Sequence, residues 1–545
     1  MVKRSKPGRD VSLKIKSNAK RVLYLSLLII WVFPALACTR SVISPRDLTA
    51  TAIIARPTEL AILSPQPTSN AQGGGAAANL FQDQVATLEA TPLSLFTPTP
   101  IPTQETTPKP PVLYYTQAGD TLSSISARFG VAPAEIKSSW QVPPDSVLTP
   151  NRLLIIPDRL PEFGPGDAIL PDSEVVYSPS AVDFDIHNYV AEAGGYLSTY
   201  REWLANGWNS GADVIQRVAI ENSINPRILL ALIEYQSNWV TGQPQNLSQT
   251  DYPMGYQNFA HLGLYKQLSW AVQQLSIGYY GWRAGILTEI DFPMDNNTRM
   301  RLAPGLNAGS AALQILFSRL YNQRDWGGVL YAPDGFPALY DTMFGNPWLR
   351  AQTVEPLYPP TLTQPDLTLP FRVGRSWSLT GGPHSAWGPD GALAALDFAP
   401  SSFEHGCVAS DDWVTAVAAG KVVRVGNGVV VIDLDGDGYE QTGWSILYLH
   451  VATKDRIALG SFVHTNDLLG HPSCEGGVST GTHVHIARKY NGEWILASGP
   501  ISFNLDGWTA SAGEKPYEGL LTKNDQVVEA CTCGSAETVI TRTDE

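Results

Sequence analysis

His483 and His485 stand two apart in the stretch Ser479-Thr480-Gly481-Thr482-His483-Val484-His485. On an extended chain that spacing sends both imidazoles to one side, so one ring can bind a metal while its neighbour reaches whatever sits on that metal. The same pair also fits a polar surface strand or a hydrogen-bonded core, so its weight comes from its surroundings. Seven of the nine histidines (His384, His405, His450, His464, His471, His483 and His485) fall between positions 384 and 485.

That region reads as short β-segments, Val414 to Val417, Lys421 to Val425, Gly428 to Ile432 and Ser445 to His450, separated by glycine turns. Such a pattern predicts a mainly antiparallel β domain over 371–510, with a C-terminal extension over 511–545. A proline-rich stretch (Pro359, Pro360, Pro365, Pro370) marks its start. Before it, residues 185–350 read as all-α. Val214, Ile215, Val218 and Ala219 form one apolar stripe, and Ile228, Leu229, Leu232 and Ile233 form a second after the break at Asn225-Pro226. Residues 113–158 read as a small βααβ unit. Its parts are a strand from Leu113, a helix from Thr121 to Phe129, a second helix opened by Pro133-Ala134, and a closing strand Leu153-Leu154-Ile155-Ile156. Three or four domains are what 545 residues lead one to expect.

Lys3, Arg4, Lys6, Arg9, Lys14, Lys16, Lys20 and Arg21 precede an apolar run from Val22 to Ala37, which ends before Cys38. Basic region, short apolar run and small residues describe an export signal over 1–37. Cleavage before a cysteine resembles the bacterial lipoprotein signal, which implies that Cys38 is acylated and anchors the chain. An uncleaved N-terminal anchor is the alternative, and both readings place the rest of the chain outside the cytoplasmic membrane. Residues 38–112, rich in Thr, Pro, Ala and Ser, read as a disordered tether. Without residues 1–37 the chain carries 29 Lys and Arg against 50 Asp and Glu, a net charge of −21, which argues against nucleic acid as a partner. Export leaves Cys407, Cys474, Cys531 and Cys533, an even set that permits disulfides in three pairings. Cys407 with Cys474 is preferred because both lie in the histidine-rich region.

Three resemblances give these segments expected functions. Gly119-Asp120-Thr121-Leu122, Ile125, Phe129-Gly130-Val131 and the final Leu-Ile-Ile-Pro resemble the LysM domain, which implies binding to peptidoglycan glycan. The stretch from Asn225 to Trp239 resembles the start of the lysozyme-like fold of lytic transglycosylases. Gln236 stands where that family has its acid, and an amide cannot protonate a glycosidic oxygen, so a non-catalytic domain is expected. Third, His384 followed by Asp397, then the Trp444-Ser445-Ile446-Leu447-Tyr448-Leu449-His450 run, then the H-x-H pair, resemble in this order the lysostaphin-like zinc metallopeptidases of the staphylolysin branch. This implies Zn2+ held by His384, Asp397 and His485, with His450 and His483 as the catalytic pair. Two imidazoles and a carboxylate suit zinc with one position left for water. Asp433, Asp435 and Asp437 supply half of a calcium loop, but Trp444 stands at the twelfth position, so an acidic turn is expected.

Together these readings describe an extracytoplasmic, lipid-anchored zinc endopeptidase that cleaves peptide stems or cross-links of peptidoglycan. A non-enzymatic wall scaffold, or an activator of other hydrolases, is the alternative.

Overall fold

In a computed structural model, residues 109–359, 361–401 and 406–544 are described. The export signal, most of the tether, Cys38 and His405 lie outside them. Among the described residues no helix is long and apolar enough to cross a membrane.

Val112–Tyr115 pairs antiparallel with Leu153–Ile156. The helix Leu122–Phe129 lies between them, capped by the Thr121 hydroxyl and ended by left-handed Gly130. Ile125, Phe129, Leu154 and Ile156 form its core. The expected second helix is a single 3₁₀ turn, Pro133–Glu135. The chain beyond the turn is needed elsewhere: Lys137 exchanges both backbone hydrogen bonds with Ile155, at 3.0 and 2.8 Å, which extends the pairing rather than the helix.

The segment read as all-α holds the helices Gly211–Asn222, Pro226–Ser237, Leu264–Arg283 and Ala308–Ser318. It also holds two β-hairpins that helical periodicity could not reveal, Arg201–Leu204 with Gly207–Ser210 and Glu289–Phe292 with Thr298–Arg301. The second turns on Asn296 and Asn297, both left-handed, a conformation that Asn tolerates better than most residues. Gln236 accepts a hydrogen bond from the Tyr321 hydroxyl at 2.9 Å. Glu234 is occupied with the loop that follows, accepting from the Val240 and Thr241 N–H groups at 2.8 and 3.1 Å.

A nine-stranded antiparallel sheet dominates the C-terminal part. Its order is Phe462–Val463, Gly420–Gly426, Val429–Asp433, Trp444–Leu449, Val484–Tyr490, Leu393–Pro400, Ser376–Ser385 and Val539–Thr541, with Glu493–Trp494 paired beside Val484–Tyr490. The last strand of that path belongs to the expected C-terminal extension. Residues 511–544 therefore complete the domain: Val539–Thr541 hydrogen-bonds to Ser376–Ser385, and Arg542 donates to the Leu369 and Phe371 carbonyls at 3.0 and 2.6 Å.

Alternation along the strands gives the sheet two buried faces. Leu396, Val430, Ile432, Ile446, Tyr448 and Ile486 enter a core with Phe371, Trp377 and Phe398. Ala395, Val429, Val431, Leu447, Leu449 and Ala487 face the other way and share one continuous core with the helical segment, including Leu275, Tyr279 and Trp282. Polar contacts reinforce this junction. Arg283 bonds to Asp172 at 2.9 Å and to Glu493 at 3.1 Å, and the Tyr280 hydroxyl accepts the Trp494 N–H at 2.9 Å. Helices and sheet are thus two layers of a single packed body.

Candidate metal centre and catalytic cleft

Register places the first two groups. His485 and Asp397 sit directly opposite each other on neighbouring antiparallel strands, so their side chains leave the same face. His384 comes from the next strand, Ser376–Ser385, whose register shifts on both sides of it. Such irregularities re-aim a side chain that regular alternation would send elsewhere. Gly381 faces Asp397 in this register, and a Cβ added there would lie 2.9 Å from Asp397 Oδ2, so the carboxylate occupies space that only glycine leaves free.

The three groups converge. His384 Nε2 is 3.0 Å from His485 Nδ1, His384 Nε2 is 3.2 Å from Asp397 Oδ1, and His485 Nδ1 is 3.1 Å from Asp397 Oδ1. Tetrahedral zinc with bonds of about 2.0–2.1 Å holds its ligands about 3.3 Å apart, so this nearly equilateral triangle of donors fits the ion. The remaining ring nitrogens are spoken for. His384 Nδ1 donates to the Gly382 carbonyl at 2.8 Å, and His485 Nε2 donates to the Ala386 carbonyl at 3.1 Å. Because a carbonyl only accepts, each bond fixes the tautomer that leaves the inward nitrogen with a free lone pair. All three ligand groups are buried. Burial alone would raise the Asp397 carboxyl, but the surrounding histidines outweigh it and hold the group well below the usual carboxylate range.

His450 and His483 stand beside this triangle. Their ring centroids are 4.4 Å apart, and His450 is 6.4 Å from His485. His450 Nδ1 donates to the Glu475 carbonyl at 2.9 Å and His483 Nδ1 to the Gly481 carbonyl at 2.8 Å, which leaves both Nε2 atoms for the cleft. Burial, with His483 next to it, pushes His450 down to about 4, so its ring is neutral near pH 7. Tyr448 and His450 do not share a face. Tyr448 lies in the core, where its hydroxyl accepts the Val417 N–H at 2.8 Å. The strand ends at Leu449, and His450 takes a left-handed φ of 67°, which breaks the alternation and swings the imidazole into the cleft.

Other groups at the site lie outside the motifs. Tyr517, from residues beyond the expected domain, stacks on His384 with ring centroids 4.1 Å apart, and its carbonyl accepts the Gly382 N–H at 2.8 Å. No local signal marks it. Ala386 and Glu475 act through backbone carbonyls, which side-chain identity does not disclose. Cys407 and Cys474 are disulfide-bonded, with Cα atoms 5.7 Å apart. His471 is buried and donates from Nδ1 to the Asp412 carbonyl at 2.7 Å, while His464 is exposed beside Asp467. Asp433, Asp435 and Asp437 approach closely enough to share an ion. Asp433 accepts N–H bonds from Asp435, Gly436 and Gly438 of its own loop, the pattern of an acidic turn.

The triangle of candidate metal donors and the two flanking histidines open into a cleft of about 2050 Å³. A buried three-donor site next to two further imidazoles is equipped for metal-assisted hydrolysis. Several known proteins are similar to this chain. Residues 168–358 match the family "LasA, N-terminal domain" and residues 114–157 match the LysM domain. The chain is 28% identical to Protease LasA of Pseudomonas aeruginosa over 364 residues, which span 61% of this chain and 75% of that one. It is 30% identical to the beta-lytic metalloendopeptidase of Achromobacter lyticus over 173 residues, 29% of this chain and 43% of that one. Among solved structures, "A Novel M23 Metalloprotease Pseudoalterin from Deep-sea" aligns with 24% identity and a TM-score of 0.26, covering 31% of this chain and 96% of that one. The protein is a metalloendopeptidase. It carries a LysM domain and is homologous to Protease LasA. The helical segment lies within the match to "LasA, N-terminal domain", and the lysozyme-like expectation for it is not confirmed.

Proposed function

We propose that the protein is a zinc endopeptidase that cleaves peptide stems or cross-links of peptidoglycan, outside the cytoplasmic membrane and held at the wall by its LysM module. The observation that carries this reading is the triangle of His384, Asp397 and His485 donors, 3.0–3.2 Å apart, with two further imidazoles beside it. These three residues would hold the ion, and acylated Cys38 would tether the chain to the membrane. Bound zinc supplies a nucleophile at neutral pH by acidifying water, and it polarises the scissile carbonyl. His450, neutral and with Nδ1 engaged by the Glu475 carbonyl, takes a proton at Nε2. His483 faces the same space through Nε2, 3.6 Å from Asp397 Oδ2, and once that nitrogen also carries a proton it donates to the developing oxyanion.

The test is digestion of purified peptidoglycan by the zinc-loaded protein. New amino groups and muropeptide fragments identified by mass spectrometry are expected. Solubilised fragments without new amino groups would contradict peptide cleavage. LysM binding is checked separately, as retention of residues 109–160 on peptidoglycan from which the peptide stems have been removed. LasA, beta-lytic metalloendopeptidase and LysM relatives support the wall as the place of action.

A further inference from the structure

Resting on the endopeptidase reading, we infer that the segment Gly476-Gly477-Val478 is a subsite for the main chain of the peptide substrate, and that Val478 selects an aliphatic side chain beside the scissile bond. The first support is position. All three residues border the cleft together with His450 and His483. A Cβ added at Gly477 would lie 3.6 Å from His450 Cε1, the ring carbon between the two nitrogens. The backbone of the segment therefore passes beside the imidazole whose Nδ1 is engaged by the Glu475 carbonyl and whose Nε2 faces the cleft. Gly477 holds φ at 138°, a conformation that residues with a side chain rarely adopt, and its lack of one leaves the space beside the ring open to a substrate.

The second support is a set of unpaired backbone groups. A folded chain pairs nearly all of its N–H and C=O groups unless they face water or a ligand. Among the described residues, none hydrogen-bonds to the backbone N–H or carbonyl of Gly476, Gly477 or Val478. Gly477 and Val478 are exposed. Three consecutive peptide units with free donors and acceptors can pair with another extended chain, as the open edge of a sheet does. Beside a catalytic imidazole, the chain that reaches them is the one being cut.

The third support is that the segment is held at both ends. Before it, Cys474 is bonded to Cys407, and the Glu475 carboxylate accepts the Thr453 N–H at 2.8 Å and its hydroxyl at 2.6 Å. A Cβ at Gly476 would collide with the Asn427 carbonyl oxygen, so this glycine lets the segment lie directly on the 427–428 turn. After it, the Ser479 hydroxyl donates to the Gly481 carbonyl at 2.7 Å. Groups fixed in this way lose little freedom when a peptide binds. They also fix Val478, which at 99% is the most exposed large apolar side chain among the described residues. A single exposed valine is ordinary on a surface, but one held at the rim of the cleft next to His450 offers a substrate only apolar contact. Each methylene buried there is worth about fourfold in binding.

The test has two arms, both on the zinc-loaded protein and both using synthetic peptides built around the bond it cleaves in peptidoglycan. In the first, that bond is replaced by an uncleavable ketomethylene group, and amide hydrogen exchange is followed by mass spectrometry with the peptide at an inhibiting concentration. Exchange over residues 476–478 is expected to slow at least about fivefold, because free N–H groups gain partners. Unchanged exchange there under full inhibition overturns the main-chain subsite. In the second arm, cleavable peptides carry Gly, Ala or Val on either side of the bond. On one side, kcat/KM should rise about fourfold from Gly to Ala or Val, and Val478→Ser should cut that preference below twofold with bound zinc unchanged. No preference in the unmodified protein, or the same preference in Val478→Ser, overturns the role of Val478. That side chain is almost fully exposed, so the substitution leaves the folded core untouched. If the unmodified protein cleaves neither these peptides nor peptidoglycan, the endopeptidase reading fails instead.

Discussion

Five side chains at the site divide into two groups by what each touches, and the two groups should fail differently. His384, Asp397 and His485 meet one another at 3.0–3.2 Å, whereas His450 and His483 are tied to carbonyls and face the cleft. Replacing His485 or Asp397 with Ala should remove the metal and lower activity at least about a thousandfold. Metal analysis after dialysis checks this, and a metal-free variant that still cleaves cell walls would sink the ligand assignment. His450→Ala should keep the metal and lose about 10²–10⁴ in kcat, the usual worth of a general base. Loss of metal from that variant would make His450 a structural residue. At this scale the candidate site was legible, because the chemistry sits in residue types at motif spacings. Its supports were not: the Ala386, Gly382, Gly481 and Glu475 carbonyls belong to the backbone, which every residue carries alike.

Strands decide where those side chains go. Regular alternation puts His485 opposite Asp397, an irregular register brings His384 to them, and a left-handed residue turns His450 out of the core. Gly381 is the tightest point of this arrangement. A methyl group there would press on Asp397 Oδ2 at 2.9 Å, and the rigid strand pairing gives it nowhere to go. Gly381→Ala is therefore expected to weaken metal affinity about 10–100-fold, the scale seen when groups supporting a ligand are disturbed. A chelator-competition titration measures it, and unchanged affinity would show that the carboxylate can move aside. The helical periodicity of residues 212–239 predicted its two helices well. The hairpins at 201–210 and 289–301 escaped because four-residue strands carry too few alternations to register.

At the scale of the whole molecule, the helical segment and the sheet share a core and a buried ion cluster. Arg283 serves both Asp172 and Glu493, and its removal would leave two buried carboxylates without this counter-ion. Arg283→Met should cost about 3–5 kcal/mol in chemical denaturation, with helices and sheet still unfolding together. A change below about 1 kcal/mol would mean that water reaches the cluster. Glu355 lies at the same junction, where burial and then Asp172 push its carboxyl up to about 7. Its folded value lies above the unfolded one, so the folded state holds the proton more tightly. Stability is therefore expected to fall as pH rises from about 4.5 through 7, by about 1–2 kcal/mol after screening by solvent. Glu355→Gln, which keeps the acceptor for the Ser173 N–H, should flatten that slope in melting curves from pH 5 to 8. An unchanged slope would assign it to other groups.

The amino-acid sequence by itself determined the LysM unit, the antiparallel character of the last domain and the motifs that carry the candidate metal donors. These depend on local spacing, residue chemistry and turn signals, all of which are written along the chain. Only the tertiary structure decided that residues 511–544 complete the sheet, that Tyr517 covers His384, and that the helices are packed against the catalytic sheet. Those outcomes rest on contacts between positions far apart in the chain. An apolar stripe or strand face states that it must be buried, and only the folded chain determines against what.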